Sequence, residues 1–306
     1  MAVILFLNAL CLCSFAGTRR ALVIGIGDYE DPAWARIHGD RDAGAVAGML
    51  RGNGFGDISV LVGREATKAA IVAQFELLAG RCETGDTVYV HFSGHGQLVT
   101  DVDGDESDGW DESWIPYDAY RKYCPRDRGE RHLIDDEINL LLTSVRERIG
   151  EDGLIAVSVD ACHAGDSTRR PEQNAVVRGA YDEFVIPSSG RRRTAARRER
   201  WLTLSACLDY QLNQELPDGS GRLSSALCTL AAELSGLEND ELLARLDEFY
   251  NRKGFRSRLP QTPVMTGETD NRRFSDIFVK PSFKKMTGKG ESGAKTSGTM
   301  ASAPKN

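Results

Sequence analysis

The stretch TVYVHFSGHG, residues 87–96, decides the fold. Its first six residues are β-branched or aromatic apart from His91, and Ser93 and two glycines around His95 close the run. A short run of this kind bounded by turn residues reads as a strand buried on both faces. LIAVSVDACHAG, residues 154–165, has the same design and ends in Asp160, Cys162 and a glycine. Working outward, residues 21–26 (ALVIGI), 58–62 and 201–205 read as further strands. Ala43, Val46, Ala47, Met49 and Leu50 fall at helical spacing. Thr67 caps a predicted helix through Leu78, with Ile71, Phe75 and Leu78 on one face. Residues 135–149 are amphipathic, and 224–234 read as helix. Strands alternating with helices predict an α/β fold: a central, mostly parallel sheet with helices on both faces, in three layers. Chemistry in such sheets sits beyond the carboxyl ends of the strands, where His95 and Cys162 both fall.

Composition narrows the function. The chain has 306 residues, 41% of them hydrophobic and 27% charged, with a net charge of −7, as in a globular protein. No apolar run in the body reaches the 18 or more residues of a spanning helix. The acidic balance disfavours a nucleic-acid partner. Seven scattered cysteines without CxxC zinc spacing suit a reduced chain better than a disulfide scaffold. Residues 1–17 (MAVILFLNALCLCSFAG) read either as a signal-like apolar leader or as a segment packed ahead of the domain. Residence is accordingly expected in the cytoplasm, or outside the cell if 1–16 is a signal peptide. Residues 281–306, rich in Lys, Gly, Ser and Thr, read as a flexible tail.

His95 and Cys162 lie 67 residues apart in sequence, each after an apolar strand, with Gly96 following the histidine directly and Gly165 three residues after the cysteine. An imidazole near a thiol favours the reactive thiolate. The glycines let a carbonyl substrate approach backbone N–H groups that can hold an oxyanion. Singly, a buried Cys is a small hydrophobe and a His satisfies local hydrogen bonds. Two matching strand-end motifs favour catalysis.

HFSGHGQ (91–97) and DACHAGDS (160–167) resemble the His and Cys motifs of the metacaspases, caspase-like cysteine peptidases. GDESDGWDESWIPYD (104–118), LIDDEI (133–138), SACLDYQ (205–211) and GRLSSAL (221–227) extend the resemblance over about residues 20–279. It implies one peptidase domain over 19–280: a large-subunit part to about 187, a basic linker at 188–200 and a small-subunit part over 201–280. It further implies Cys162 as nucleophile, His95 as general base and acid, and the N–H groups of Gly96 and Cys162 as oxyanion donors. Asp160, Asp42 and Ser93 would line a pocket for Arg or Lys, since paired carboxylates suit a guanidinium. Ala164 stands where the family usually has Ser, and Gly221–Ser224 departs from its GxFT pattern.

Residues 101–118 hold eight acids and no Lys or Arg, a density of hard oxygen donors that points to calcium. Asp101, Asp103, Asp105 and Glu112 fall at EF-hand loop positions, but Glu106 stands where the turn glycine belongs. The resemblance instead implicates Asp111, Asp135 and Asp136, with Asp166 as the nearby fourth acid. No organic cofactor is expected. Residues 188–200 hold Arg191, Arg192, Arg193, Arg197, Arg198 and Arg200, the expected self-cleavage segment of an Arg-preferring enzyme. The expectation is a monomeric, calcium-activated cysteine endopeptidase acting on protein or peptide substrates after Arg or Lys. A non-catalytic caspase-like scaffold, or a transamidase on the same frame, are the alternatives.

Overall fold

The computed structural model describes residues 17–162, 176–187, 199–252, 259–269 and 272–279. In chain order the elements are β1 (Arg19–Gly25), α1 (Gly39–Gly52), β2 (Asp57–Val62), α2 (Lys68–Arg81), β3 (Thr87–Ser93), β4 (Gly96–Thr100) and β5 (Trp110–Trp114). Then come β6 (Leu133–Ile134), α3 (Asp135–Ile149), β7 (Leu154–Asp160), β8 (Leu202–Ser205), α4 (Arg222–Leu234), α5 (Asn239–Tyr250) and β9 (Val264–Thr266). The main sheet runs β2-β1-β3-β7-β8-β9, parallel except for β9. Every residue of β3 and β7 is buried, as their continuous apolar runs require.

Alternation along these strands sorts their side chains into two layers. Ala21, Val23, Tyr89 and Ala156 face one way and pack with Val46 and Leu50 of α1, Leu227 of α4 and Phe249 of α5. Leu22, Ile24, Val90, Phe92 and Val157 face the other way, onto Ile71 and Phe75 of α2 and Leu142 of α3. The three expected layers result. The Thr67 hydroxyl accepts from Ala70 N at 3.2 Å, as its capping role requires.

Three features escaped the sequence reading. A second, antiparallel sheet of β4, β5 and β6 stands beside the main one, joined to it by Trp114 stacked on Phe92 at 4.8 Å. The helix read from Ala43 begins four residues earlier, so Asp42 lies in its first turn. Helix α5 and strand β9 complete the carboxyl-terminal part. The leader 1–16 and the tail 281–306 lie outside the described residues.

Candidate active site

Strands β3 and β7 are hydrogen-bonded neighbours, and their register pairs Ser93 with Asp160. His95 and Cys162 each follow two residues later. Both reactive groups therefore leave the sheet at the same level, from adjoining strands.

His95 is held on three sides. Its Nε2 lies 2.8 Å from the Ala35 carbonyl, so Nε2 carries the proton. Nδ1 is buried with no hydrogen-bond partner among the described residues, which leaves a lone pair for a proton. The ring stacks on Trp34 at 5.0 Å and tilts against Tyr29 at 5.1 Å. Burial, with the charges of Arg178 and Arg121, pushes its pKa down to about 4. The imidazole is thus neutral at pH 7, the form a general base needs. Tyr29, Trp34 and Ala35 went unread in the sequence, because a loop carries no periodic signal.

Cys162 is 2% exposed. Its Sγ lies 3.0 Å from the Gln211 carbonyl, an acceptor for a thiol proton, and its N–H donates to the Arg178 carbonyl at 2.8 Å. Nearby Cys207 has its thiol pushed well up by its hydrogen bond to Cys162 and by burial.

Asp42, Ser93 and Asp160 converge as the sequence reading expected, and an arginine lies among them. Arg178 is fully buried. Its Nη2 is 2.7 Å from Asp42 and 3.0 Å from Glu215; its Nη1 is 2.5 Å from Ser93 Oγ and 3.9 Å from Asp160. Asp160 is held by Asn213 Nδ2 at 2.8 Å, Ser224 N at 2.8 Å and Ser224 Oγ at 2.7 Å. Burial alone would raise the Asp160 pKa, but Arg178 and these donors pull it below the usual carboxylate value. Asp42 goes the other way: burial and the Asp160 charge outweigh Arg178 and the bonds from Ser93 and Gly221. Gly221 closes the pocket, and a Cβ there would fall 2.2 Å from Asp160 Oδ2. Arg178 and Glu215 were both missed. The available signal was an arginine set between apolar and small neighbours, VVRGA, rather than in a basic run.

The acidic segment closes the β4–β5 hairpin over the start of α3. Ligand oxygens of Asp101, Asp105 and Asp111 lie within 4.8 Å of one another, and so do those of Asp103, Asp105 and Asp136. Asp111 and Asp136 thus join two overlapping clusters with loop acids that the resemblance had not implicated. Asp135 stands beside them, with Oδ1 buried and lacking a partner among the described residues. Burial first, then mutual repulsion, raises Asp111 to about 8, Asp135 to about 7 and Asp136 to about 6. Three acids in the first turn of α3 would favour the charged form through the helix dipole, yet burial and crowding together prevail. An oxygen-only donor set with stranded carboxyls fits a hard divalent cation.

Asp166 and the linker arginines Arg191, Arg192, Arg193, Arg197 and Arg198 lie outside the described residues. Arg200 pairs with Glu151 and gives its carbonyl to Arg146. It precedes β8, which runs parallel to β7, so it lies at the end of the sheet opposite Cys162.

A family model described as the caspase domain matches residues 18–275. The chain is 30% identical over 192 residues to metacaspase-1B of Aspergillus fumigatus, covering 56% of this chain and 44% of that one. It is 34% identical over 170 residues to metacaspase-2 of Arabidopsis thaliana, covering 55% and 38%. The matches thus span less than half the length of these curated relatives. A solved structure of a Geobacter sulfurreducens protein superposes with a TM-score of 0.61 at 23% identity, covering 86% of this chain and 97% of that one. Caspase-1 from Spodoptera frugiperda shares the fold at a TM-score of 0.52 and 11% identity, covering 82% and 87%.

Proposed function

The chain belongs to the caspase-domain family, and on that premise we propose that it is a calcium-dependent cysteine endopeptidase cutting after arginine or lysine. One observation carries the reading: the carboxyls of Asp42, Asp160 and Glu215 enclose a guanidinium at the strand ends that present His95 and Cys162.

In this reading the Cys162 thiol turns from the Gln211 carbonyl and gives its proton to His95 Nδ1. The thiolate attacks the peptide carbonyl, and the N–H groups of Gly96 and Cys162 receive the oxyanion. His95 returns the proton to the leaving amine, and water then releases the acyl group. The Ala35 carbonyl fixes the imidazole tautomer throughout. Asp101, Asp103, Asp105, Asp111 and Asp136, with Asp135 beside them, would hold calcium, whose charge would let these crowded carboxyls ionise together. That would brace the hairpin after β4, the strand that begins at Gly96.

The test is hydrolysis of fluorogenic Arg, Lys and Asp peptides in calcium and in chelator, beside Cys162→Ala. The expected result is calcium-dependent turnover of Arg and Lys peptides that vanishes in the variant. Preference for Asp peptides would refute the specificity, and equal rates in chelator would refute the calcium requirement. Self-processing belongs to the same reading, with residues 188–200 as the segment expected from the sequence.

A further inference from the structure

We propose that residues 176–178 are an internal substrate, and that Arg178–Gly179 is the bond this chain cuts in itself; the proposal rests on the peptidase reading above. Three contacts made by one short segment carry it, and each is a contact that a substrate must make.

First, the segment lies along the chain at 213–215 as an added antiparallel strand. Arg178 N donates to the Asn213 carbonyl at 2.9 Å, Glu215 N donates to the Val176 carbonyl at 3.0 Å, and Val177 bridges Gln214. An extended peptide bound by main-chain hydrogen bonds is a common mode of peptide recognition. Second, the Arg178 side chain fills the acidic pocket. Third, its carbonyl accepts from the Cys162 N–H at 2.8 Å, a donor assigned above to the oxyanion. The next residue lies against the nucleophile, since a Cβ on Gly179 would fall 2.3 Å from the Cys162 carbonyl and 3.1 Å from Cys162 Cβ. Side-chain pocket, backbone strand and carbonyl donor are thus engaged by one residue in the register of a bond about to be cut.

The step balances with water alone. Cys162 Sγ bonds to the Arg178 carbonyl carbon, the bond to Gly179 N breaks, and His95 supplies the proton that makes Gly179 a free amine. Water then hydrolyses the thioester, leaving a carboxylate on Arg178 and the thiol restored. Until the cut, Arg178 occupies the pocket that an outside arginine would need, with Asp160 fully covered and Cys162 and His95 2% and 1% exposed. The same contacts name the preferred substrate. Val177 packs against Cys162, Cys207 and Leu212, which predicts an aliphatic residue before the arginine. Val176 is 37% exposed, which predicts tolerance one position earlier.

The experiment incubates the purified full chain with calcium and reads fragment masses and new amino termini, with hydrolysis of a fluorogenic Val-Val-Arg peptide measured alongside. The expected new terminus is Gly179-Ala180-Tyr181, formed at a rate unchanged by twentyfold dilution, because the bond sits in its own site. Cys162→Ala stays whole; Arg178→Lys is still cut at this bond, and Arg178→Gln is not. Should Arg178→Gln fail to fold, the terminus and the dilution series of the wild type decide alone. Peptide turnover with the chain uncut, or cut only within 188–200, overturns the proposal and leaves the peptidase reading intact. A rate proportional to concentration overturns cutting within one chain. Loss of both peptide turnover and self-cutting overturns the peptidase reading, and the proposal with it.

Discussion

Removing the Arg178 charge while keeping its bulk is the sharpest probe of the pocket. Arg178→Met leaves Asp42, Asp160 and Glu215 together in a buried space without the guanidinium that paired with them, though His38 Nδ1 still lies 3.0 Å from Glu215. Breaking a buried ion pair from one side costs about 3–5 kcal/mol, because the remaining charge stays desolvated. For a domain of this size each kcal/mol moves the melting temperature by about 2–4 °C, so a fall of roughly 6–20 °C is expected near pH 8. The pH dependence gives the cause. Without Arg178, Asp42 and Asp160 titrate above their unfolded value, so the folded state binds more protons than the unfolded chain. Its stability relative to wild type is then lost as pH rises, and the gap widens from pH 5 to pH 8. Thermal denaturation of both proteins at the two pH values reads this directly. A fall under about 2 °C that is equal at both pH values would refute the reasoning.

Trp34→Leu removes the ring stacked on His95 and should lower kcat on Arg peptides by up to about 100-fold with little change in KM, since a misplaced base loses rate rather than binding. Calcium at about 100 times its Kd should stabilise the wild type by about 2.7 kcal/mol, seen as a higher melting temperature. Asp111→Asn should abolish that rise and melt higher than wild type in chelator, because the amide relieves a buried, crowded carboxyl. His132 is pushed down to about 3, chiefly by burial and then by Lys68, so its contribution is complete above 6.5 and lost as pH falls. From pH 7.5 to 5 it should cost the wild type about 2 kcal/mol that His132→Gln does not lose, measured as a narrowing difference in melting temperature.

What was legible in the sequence followed the physics of each signal. The layers of the sheet were, because β1, β3 and β7 are continuous apolar runs closed by turn residues. His95 and Cys162 were, because a histidine and a cysteine just past the ends of two buried strands, each followed closely by glycine, have few other uses. The acids of 101–118 were visible by density, but their pairing was not, since the hairpin that brings Asp105 beside Asp111 and Asp136 is a tertiary fact. Arg178 was hidden by the opposite error. The density of arginine in 188–200 is the louder signal, whereas burial selects one arginine among aliphatic neighbours. Tyr29 and Trp34 gave no signal because aromatic residues in a loop are recognisable only by what they lean on.

The pairing of Ser93 with Asp160 constrains how this chain can change in length. A residue inserted into β3 or β7 would move everything beyond it by about 3.3 Å and turn it to the opposite face of the sheet. Imidazole and thiol would then leave different sides of one layer, whatever their identities. The two seven-residue strands are therefore tied to a common length. Insertions and deletions must be absorbed elsewhere, in the solvated parts of the connections between helices and strands. A library of single-residue insertions scored for peptidase activity would trace that boundary along the chain.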